Sequence, residues 1–258
     1  MGTIKLQGIL YDNKSSFMKG PAMAPPRIRE AYRSESSNYY AENGKEIHPE
    51  QFEDCGDHNI EEYLQIEQLT LRQLEGQQPL ITLGGDHSIT YPVLRAFYKV
   101  YGPMDILHID AHSDLYDSFE GDPHSHACPF ARIMEEGLAS SLTQVGIRTL
   151  TSHQQEQAQR FGVNILPLKD WHPDLLPAFK GPLYISLDMD ALDPAFAPGV
   201  SHYEPGGFST REILAILQRV KGRMVGADIV EFNPVRDIQG ITAMVAAKFL
   251  KELAARMI

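Results

Sequence analysis

The sequence has 258 residues, of which 43% are hydrophobic, and its formal net charge is −11. This length and composition are typical of a globular protein with one large α/β domain or two small ones. The negative charge disfavours a nucleic-acid partner, which requires a basic binding surface, and agrees with a small cationic substrate.

Cysteine usage and hydropathy limit the class of protein further. The chain has two cysteines, Cys55 and Cys128, and no Cys-x-x-Cys motif, so we expect no disulfide scaffold. The first residues lack the apolar core of a signal peptide, and no apolar run has the length of a membrane span. We therefore expect a cytoplasmic protein without a membrane partner.

Strand-like apolar runs alternate with amphipathic segments along the whole chain. We predict strands at 4–10, 80–83, 104–109, 142–147, 163–166, 183–187 and 224–230, with a weaker strand pattern at 51–54 that stops at Gly56. We predict helices from Pro25 onward and at 59–74, 91–100, 130–136, 152–161, 210–220 and 240–257. This alternation favours a three-layer α/β/α fold with a parallel sheet, and the absence of repeats or linkers favours one domain over residues 1–258.

A metal-binding pattern follows the strand at 104–109. In Asp110-Ala111-His112-Ser113-Asp114, three metal-capable side chains occupy alternate positions, which lie on one side of an extended segment. Carboxylate and imidazole ligands together suit Mn²⁺, Zn²⁺ or Fe²⁺. A polar loop at the end of a strand is the alternative explanation for this motif taken alone.

Two further strands end in the same kinds of side chain. Gly84-Gly85-Asp86-His87-Ser88 follows the strand at 80–83, and Asp188-Met189-Asp190 follows the strand at 183–187. The carboxyl ends of parallel strands meet at one edge of a sheet, so the three segments should converge. The six candidate metal ligands are His87, Asp110, His112, Asp114, Asp188 and Asp190. Six ligands are too many for one tetrahedral ion and suit two ions with shared carboxylates.

These motifs resemble the signatures of the ureohydrolases, the arginase/agmatinase family of binuclear manganese enzymes. The resemblance covers nearly the whole chain and includes 54–57, 197–199, 205–207 and 230–234. It implies an eight-stranded parallel sheet with the weak strand at 51–54 included. It also implies two Mn²⁺ ions, and it suggests a homo-oligomer, a trimer or a hexamer.

The resemblance assigns roles within the metal site. It implies that His87 and Asp114 hold the first ion, that His112 and Asp190 hold the second, and that Asp110 and Asp188 bridge both. Two cations lower the pKa of a shared water, so that hydroxide is available to attack a guanidinium carbon near neutral pH.

Two catalytic residues are expected beside the metals. By resemblance Glu231 binds the guanidinium group, for which a carboxylate is a suitable partner; a surface acid at a strand end is the alternative. His126 corresponds to the family's mobile-loop histidine, the expected proton shuttle. His124 lies two residues away and could face the site instead. Cys128 is interpreted as a packing residue, since a bimetallic site requires no thiol nucleophile.

The substrate-binding segments depart from the family patterns. The segment 115–122 does not match the arginase segment that holds the amino-acid end, so arginine is disfavoured, while its acidic residue Asp117 favours a cationic tail. Ser201 and His202 lie where agmatinases carry Thr-Gly-Thr-Pro, and we include both among the substrate-binding candidates. A solvated acidic loop and a loop histidine remain the alternatives for Asp117 and His202.

The sequence therefore predicts a binuclear-manganese amidinohydrolase of the agmatinase-like branch. Agmatine, cleaved to putrescine and urea, is the expected substrate. Guanidinobutyrate, formimino-glutamate and arginine are alternatives within the same chemistry. A zinc amide deacetylase of related fold is the alternative from another chemical class, and the complete set of six ligands argues against it. A non-enzymatic metal-stabilised binding module would require a lost ligand or the loss of Glu231, and the sequence retains them all.

Overall fold

Eight strands form the centre of residues 4–258, which are the residues that the computed structural model describes. They are β1 (Ile4–Leu10), β2 (Phe52–Asn59), β3 (Leu80–Leu83), β4 (Met104–Ile109), β5 (Ala139–Val145), β6 (Asn164–Leu166), β7 (Ala178–Asp188) and β8 (Lys221–Val230). Their order across the sheet is β2-β1-β3-β8-β7-β4-β5-β6, and every neighbouring pair is parallel. The predicted eight-stranded parallel sheet is confirmed.

Helices cover both faces of this sheet. They are α1 (Ala24–Tyr32), α2 (Gln65–Gln73), α3 (Thr90–Tyr101), α4 (Pro129–Glu135), α5 (Ser152–Phe161), α6 (Thr210–Arg219) and α7 (Ile241–Met257). One apolar core contains side chains of α1, α6 and α7, such as Phe249. The other contains side chains of α2 to α5, such as Phe97 and Phe130. The fold is thus the expected three-layer α/β/α arrangement.

Several predicted element boundaries are wrong. Strands β5, β7 and β8 begin three to five residues earlier than predicted, and two further errors adjoin each other. Strand β2 does not stop at Gly56 but continues to Asn59, and a register shift against β1 accommodates one extra residue beside Gly56. The helix predicted at 59–74 begins only at Gln65, since β2 extends to Asn59 and a turn at 61–64 precedes the helix. As an edge strand, β2 is half exposed and polar, so it lacks the apolar alternation of a buried strand.

Close backbone packing shapes the carboxyl edge of the sheet. A Cβ atom at Gly85 would lie 1.6 Å from the carbonyl oxygen of Tyr11, so only glycine fits between β3 and the segment after β1. The Asp86 N–H also donates to that carbonyl at 3.0 Å. These contacts bring the segment that follows β1 against the end of β3. Within residues 4–258, no helix has the length and apolar character that a membrane crossing requires.

Candidate active site

Four adjacent central strands end at the same place. Asp110 follows β4, Asp188 is the last residue of β7, Glu231 follows β8, and the segment 84–88 follows β3. The three motifs predicted to converge therefore do so, at the carboxyl edge of the sheet.

His87 lies at the centre of a group of carboxylates. Its Nδ1 atom is 3.2 Å from Asp110 Oδ2, 3.1 Å from Asp114 Oδ2 and 3.1 Å from Asp188 Oδ2. Among the described residues this buried nitrogen makes no hydrogen bond, although three carboxylate oxygens surround it. Such an arrangement is expected when ligand atoms point toward a common ion rather than toward one another.

His112 defines a second group that shares one carboxylate with the first. Its Nδ1 atom is 3.0 Å from Asp190 Oδ2 and 3.6 Å from Asp110 Oδ1. Potential ligand atoms of Asp110, His112 and Asp190 lie within 4.8 Å of one another, and Asp110 also belongs to the group around His87. The position of Asp110 between the two groups agrees with a carboxylate that bridges two ions.

The close, buried carboxylates of this cluster favour neutralisation of their charge. Burial and repulsion from Asp190 and Asp110 raise the pKa of Asp188 well above its usual range. Burial likewise raises the pKa of Asp190 to about 6, although His112 opposes this. Buried carboxylates this close together are stable when a cation neutralises them. The described residues therefore fit a divalent metal site with nitrogen and oxygen ligands.

A hydrogen-bond chain orients His87 for this role. Its Nε2 lies 2.9 Å from Ser186 Oγ, which donates to Asp228 Oδ1 at 2.7 Å. With Nε2–H donating to the hydroxyl, the lone pair of Nδ1 faces the carboxylate cluster. Orienting a histidine ligand through its second nitrogen is usual in metal sites.

Two site residues adopt an unusual backbone conformation. Asp114 has φ of 51° and Glu231 has φ of 63°, in the left-handed region that side-chain-bearing residues rarely occupy. Such strain is often retained at functional sites. Here it occurs at the turns that bring both residues to a cavity beside the cluster.

A cavity of about 300 Å³ opens beside the two His/Asp groups. Its walls come from the loops that follow β1, β4, β5, β7 and β8. The lining residues are Ser16, His112, Asp114, Tyr116, Phe119, His126, Ala127, Thr149, Thr151, Gln154, Asp188, Asp190, His202, Glu204 and Glu231. The cavity is large enough for a small linear molecule and has carboxylates at its base and at its rim.

His126 and Glu231 form a buried pair in this cavity. His126 Nδ1 lies 2.8 Å from Glu231 Oε1, and that oxygen also accepts from the His87 N–H at 2.8 Å. Burial disfavours charge on His126, but Glu231 outweighs this effect and raises the pKa of His126 to about 9. Burial opposes ionisation of Glu231, but His126 holds its pKa below the usual range. His124, the alternative shuttle, stacks on Tyr91 instead, with ring centroids 5.8 Å apart.

The three predicted substrate-binding residues have different surroundings. The His202 ring lines the cavity, 5.3 Å from the ring of His126 between centroids. Ser201 is buried behind the cavity wall, where its hydroxyl donates to the Met18 carbonyl and accepts from Asn233 Nδ2. Asp117 lies on the exposed surface, with its carboxylate 3.2 Å from His153 Nε2. The structure thus brings only His202 of these three into the cavity.

Several residues at the site were not anticipated from the sequence. His108 lies 2.7 Å from Asp110 Oδ2, Ser16 contacts His126, and Glu204 reaches the rim within 3.8 Å of His112. Arg148 binds the loop that carries Glu204. Glu204 and His108 could have been proposed because each lies two residues from a predicted site residue, His202 and Asp110 respectively. Ser16 and Arg148 depend on contacts between distant segments. Cys128 is buried, and burial raises its pKa to about 12, which supports its interpretation as a packing residue.

The fold and the site define a metal-dependent hydrolase with a parallel α/β sheet and a His/Asp cluster at its carboxyl edge. The chain belongs to the arginase family, whose family model matches residues 3–255. It is 48% identical over 275 aligned positions to arginase 1, mitochondrial, of Arabidopsis thaliana, and the match covers 98% of this chain and 80% of that one. It is 32% identical to an agmatinase of Bacillus cereus, with 97% of this chain and 90% of that one covered.

A solved structure extends these similarities. The arginase from Medicago truncatula superposes with a TM-score of 0.90 at 43% sequence identity, over 99% of this chain and 87% of that one. The protein is therefore a hydrolase of the family that acts on guanidino C–N bonds. The similarity to plant arginases does not support the choice of agmatine over arginine.

Proposed function

We propose that the protein is a binuclear-manganese amidinohydrolase that cleaves L-arginine to ornithine and urea. The observation that carries the reaction type is the position of Glu231, whose carboxylate lies in the same cavity as both His/Asp groups. A planar guanidinium that donates to this carboxylate would present its central carbon to the metal cluster. When bound, two divalent ions supply a hydroxide nucleophile near neutral pH.

The residues around the substrate would then act as follows. Glu231 holds the guanidinium. One ion is held by His87 and Asp114 and the other by His112 and Asp190. Both ions share Asp110 and Asp188. His126 lies next to Glu231 and can give a proton to the departing amine nitrogen. The mixed nitrogen and oxygen ligands suit Mn²⁺, and metal analysis after reconstitution should find two ions per chain.

The side chains at the rim of the cavity favour a substrate whose tail carries both an amine and a carboxylate. Glu204 offers a carboxylate for an α-amino group. Thr149, Thr151 and Gln154 line the cavity on the side of β5 and offer hydroxyl and amide groups for an α-carboxylate. The similarity to arginases of A. thaliana and M. truncatula supports the same substrate.

Agmatine is the second candidate, and a different observation favours it. The lining residues of the cavity, taken from the described part of the chain, include no lysine or arginine to pair with a carboxylate. Acidic side chains without a lysine or arginine beside them suit a substrate tail that carries an amine and no carboxylate. Agmatine has such a tail, and arginine does not.

Urea release by the Mn²⁺-reconstituted enzyme decides between these substrates. The panel contains arginine, agmatine, 4-guanidinobutyrate and formimino-glutamate, with formamide followed for the last. We expect kcat/KM for arginine to exceed that for agmatine by at least about tenfold, because a site that binds a polar group discriminates against an analogue without it. The reverse preference would establish the agmatine proposal. Turnover of none of the four would contradict amidinohydrolase activity and lead to tests of acetylated amines.

A variant of similar side-chain shape tests whether Thr149 contacts the carboxylate of the substrate tail. Thr149→Val keeps the shape of the side chain but removes its hydroxyl group. It should raise KM for arginine by about tenfold to 100-fold, since one hydrogen bond to a carboxylate is worth about 1.5–3 kcal/mol, and it should leave KM for agmatine unchanged. Equal effects on both substrates would contradict a carboxylate contact at Thr149.

We further propose that the whole chain acts as one domain that assembles into a homo-oligomer, a trimer or a hexamer. Exposed apolar side chains support this proposal, among them Val235 at 63% and Met23 at 47% exposure, both beside a second cavity of about 630 Å³. Sedimentation velocity should find the assembly, and a monomer at micromolar concentration would contradict it. The cytoplasmic location remains a prediction, since the A. thaliana relative is described as mitochondrial.

A further inference from the structure

The segment that joins β1 to α1 reaches into the catalytic cavity. Ser16 lies in this segment and is one of the residues that line the cavity. More than one hundred residues separate it from His126 in the sequence, yet the two side chains are in contact. Ser16 belongs to none of the sequence motifs that form the His/Asp cluster.

Ser16 contacts the one ring nitrogen of His126 that Glu231 leaves free. Its hydroxyl oxygen lies 2.8 Å from His126 Nε2, and its backbone N–H donates to the same atom at 3.2 Å. His126 Nδ1 lies 2.8 Å from Glu231 Oε1. Both nitrogens therefore have partners, which fixes the ring orientation and places the Nδ1 proton toward Glu231.

The position of Ser16 is itself fixed by buried contacts. The Lys14 N–H donates to the buried carboxylate of Asp86 at 2.9 Å, and the Ser15 hydroxyl donates to the same oxygen at 3.2 Å. Lys14 Nζ pairs with Asp122 at 2.6 Å, and the His126 N–H donates to the Lys14 carbonyl at 3.2 Å. The segment 14–16 thus supports both the backbone and the ring of His126.

We propose that Ser16 is a positioning residue for the proton shuttle, which holds His126 Nε2 at the cavity wall and connects it to the cavity through a hydroxyl group. In the transfer, the doubly protonated His126 ring passes its Nε2 proton to Ser16 Oγ while the Ser16 hydroxyl proton passes to the departing amine nitrogen. Nε2 of the neutral ring that remains then accepts from the Ser16 backbone N–H. The hydroxyl group gains one proton and loses one, and His126 regains its proton from a water molecule, which leaves the hydroxide that serves as nucleophile in the next turnover. This role rests on the proposed function of His126 and Glu231.

Two alternative roles make different predictions. If Ser16 only bound the substrate tail, its loss would raise KM and leave kcat unchanged. The order Ser16–His126–Glu231 also resembles the serine, histidine and carboxylate of serine hydrolases. If Ser16 were a nucleophile, its removal would abolish turnover, whereas a positioning residue leaves a slower reaction.

The experiment is a double-mutant cycle on the Mn²⁺-loaded enzyme, with urea release from the guanidino substrate that the wild type turns over best. Ser16→Ala should lower kcat by about tenfold to 100-fold with little change in KM, because shuttle-assisted proton transfer contributes at least this much. Ser16→Thr, which keeps the hydroxyl group, should recover most of the loss. In a His126→Asn background, Ser16→Ala should have no further effect. Ser118→Ala, an exposed serine in the loop after β4, serves as the control.

Any other result contradicts the proposed role of Ser16. Equal losses from Ser16→Ala with and without His126 would show that Ser16 acts independently of the histidine. A change in KM alone would make it a substrate contact, and complete loss in both Ser16 variants would favour a nucleophile. An active wild type with an unaffected Ser16→Ala variant would overturn only this inference. A wild type that releases no urea from any guanidino substrate would overturn the proposed function as well.

Discussion

In the cavity, Nδ1 of His126 lies 2.8 Å from Oε1 of Glu231, and the two residues are 9% and 4% exposed. Each group stabilises the charge of the other, so the pKa of His126 is raised to about 9 and that of Glu231 is lowered. A proton donor is thus coupled directly to the carboxylate that we expect to hold the guanidinium. Binding of a cationic substrate at Glu231 would weaken this pairing and favour release of the proton from His126.

Glu231→Gln should separate substrate turnover from metal binding. The variant keeps the size of the side chain but removes its charge, so kcat/KM should fall by about 100-fold, since a buried charged pair is worth a few kcal/mol. Two metal ions per chain should remain, as measured by elemental analysis. Loss of metal in this variant would place Glu231 in the coordination shell instead.

The same pair predicts a pH dependence of stability. The folded pKa of His126 is about 9, above the ordinary value of 6.5, so its contribution is fully present below 6.5 and disappears as the pH rises through 9. The lowered pKa of Glu231 makes its contribution present above its ordinary value of 4.5. The metal-free wild type should therefore exceed metal-free Glu231→Gln in free energy of unfolding near about pH 5–6.5, with the difference shrinking toward about pH 10. Denaturant titrations that find a constant difference would contradict the assignment.

Asp110 should be required for both metal ions. It belongs to both ligand groups, so Asp110→Ala removes a ligand from each and leaves His87 and His112 without their shared partner. We expect loss of both ions in competition with a chelator, and a loss of urea release of about 100-fold or more. Asp117→Ala, an exposed carboxylate paired with His153, is the control and should keep both ions. Retention of one ion at wild-type affinity would exclude a bridging role for Asp110.

The residues of the His/Asp cluster could be predicted from the sequence because each lies at or just after the end of an apolar strand. Parallel strands bring such ends together whatever their order in the sheet, so His87, Asp110 and Asp188 required no knowledge of topology. Ser16 and Arg148 could not be found in this way. Their partners, His126 and Glu204, lie 110 and 56 residues away in the sequence, and no local sequence pattern predicts those contacts.

Strand β2 and the residue Asp117 show a second limit of sequence interpretation. The polar edge strand lacks the alternation on which strand prediction depends, so its extent was underestimated. The acidic loop after β4 suggested a substrate contact at Asp117, but a side chain on a turn can face either way. In the structure its neighbour Tyr116 lines the cavity, while Asp117 faces His153.

His108 should strengthen metal binding through Asp110. Gln144 Nε2 lies 3.0 Å from His108 Nδ1, and with the amide donating there, the His108 Nε2–H donates to Asp110 Oδ2 at 2.7 Å. Removal of such a supporting partner typically lowers metal affinity about 10–100-fold, and we expect this from His108→Ala. Metal titration against a chelator measures the change, and circular dichroism checks the fold. Unchanged affinity in a folded variant would show that Asp110 is oriented by its other contacts.

Arg148 should control substrate affinity through the loop that carries His202 and Glu204. Its guanidinium donates to the Glu204 carbonyl at 2.6 and 2.9 Å and to the Asp190 carbonyl at 2.7 Å, which links the rim to the His/Asp cluster. Lysine has one nitrogen and cannot make this forked set of contacts, so Arg148→Lys should loosen the loop while keeping the charge.

We expect Arg148→Lys to raise KM by about tenfold, since about 1.4 kcal/mol of substrate binding would be lost, and to change kcat little. The exposed Arg219, changed in the same way, is the control. Steady-state urea release measures both constants, and metal content should stay at the wild-type level. A fall in kcat with unchanged KM would instead show that Arg148 supports the metal ligand Asp190 more than the substrate rim.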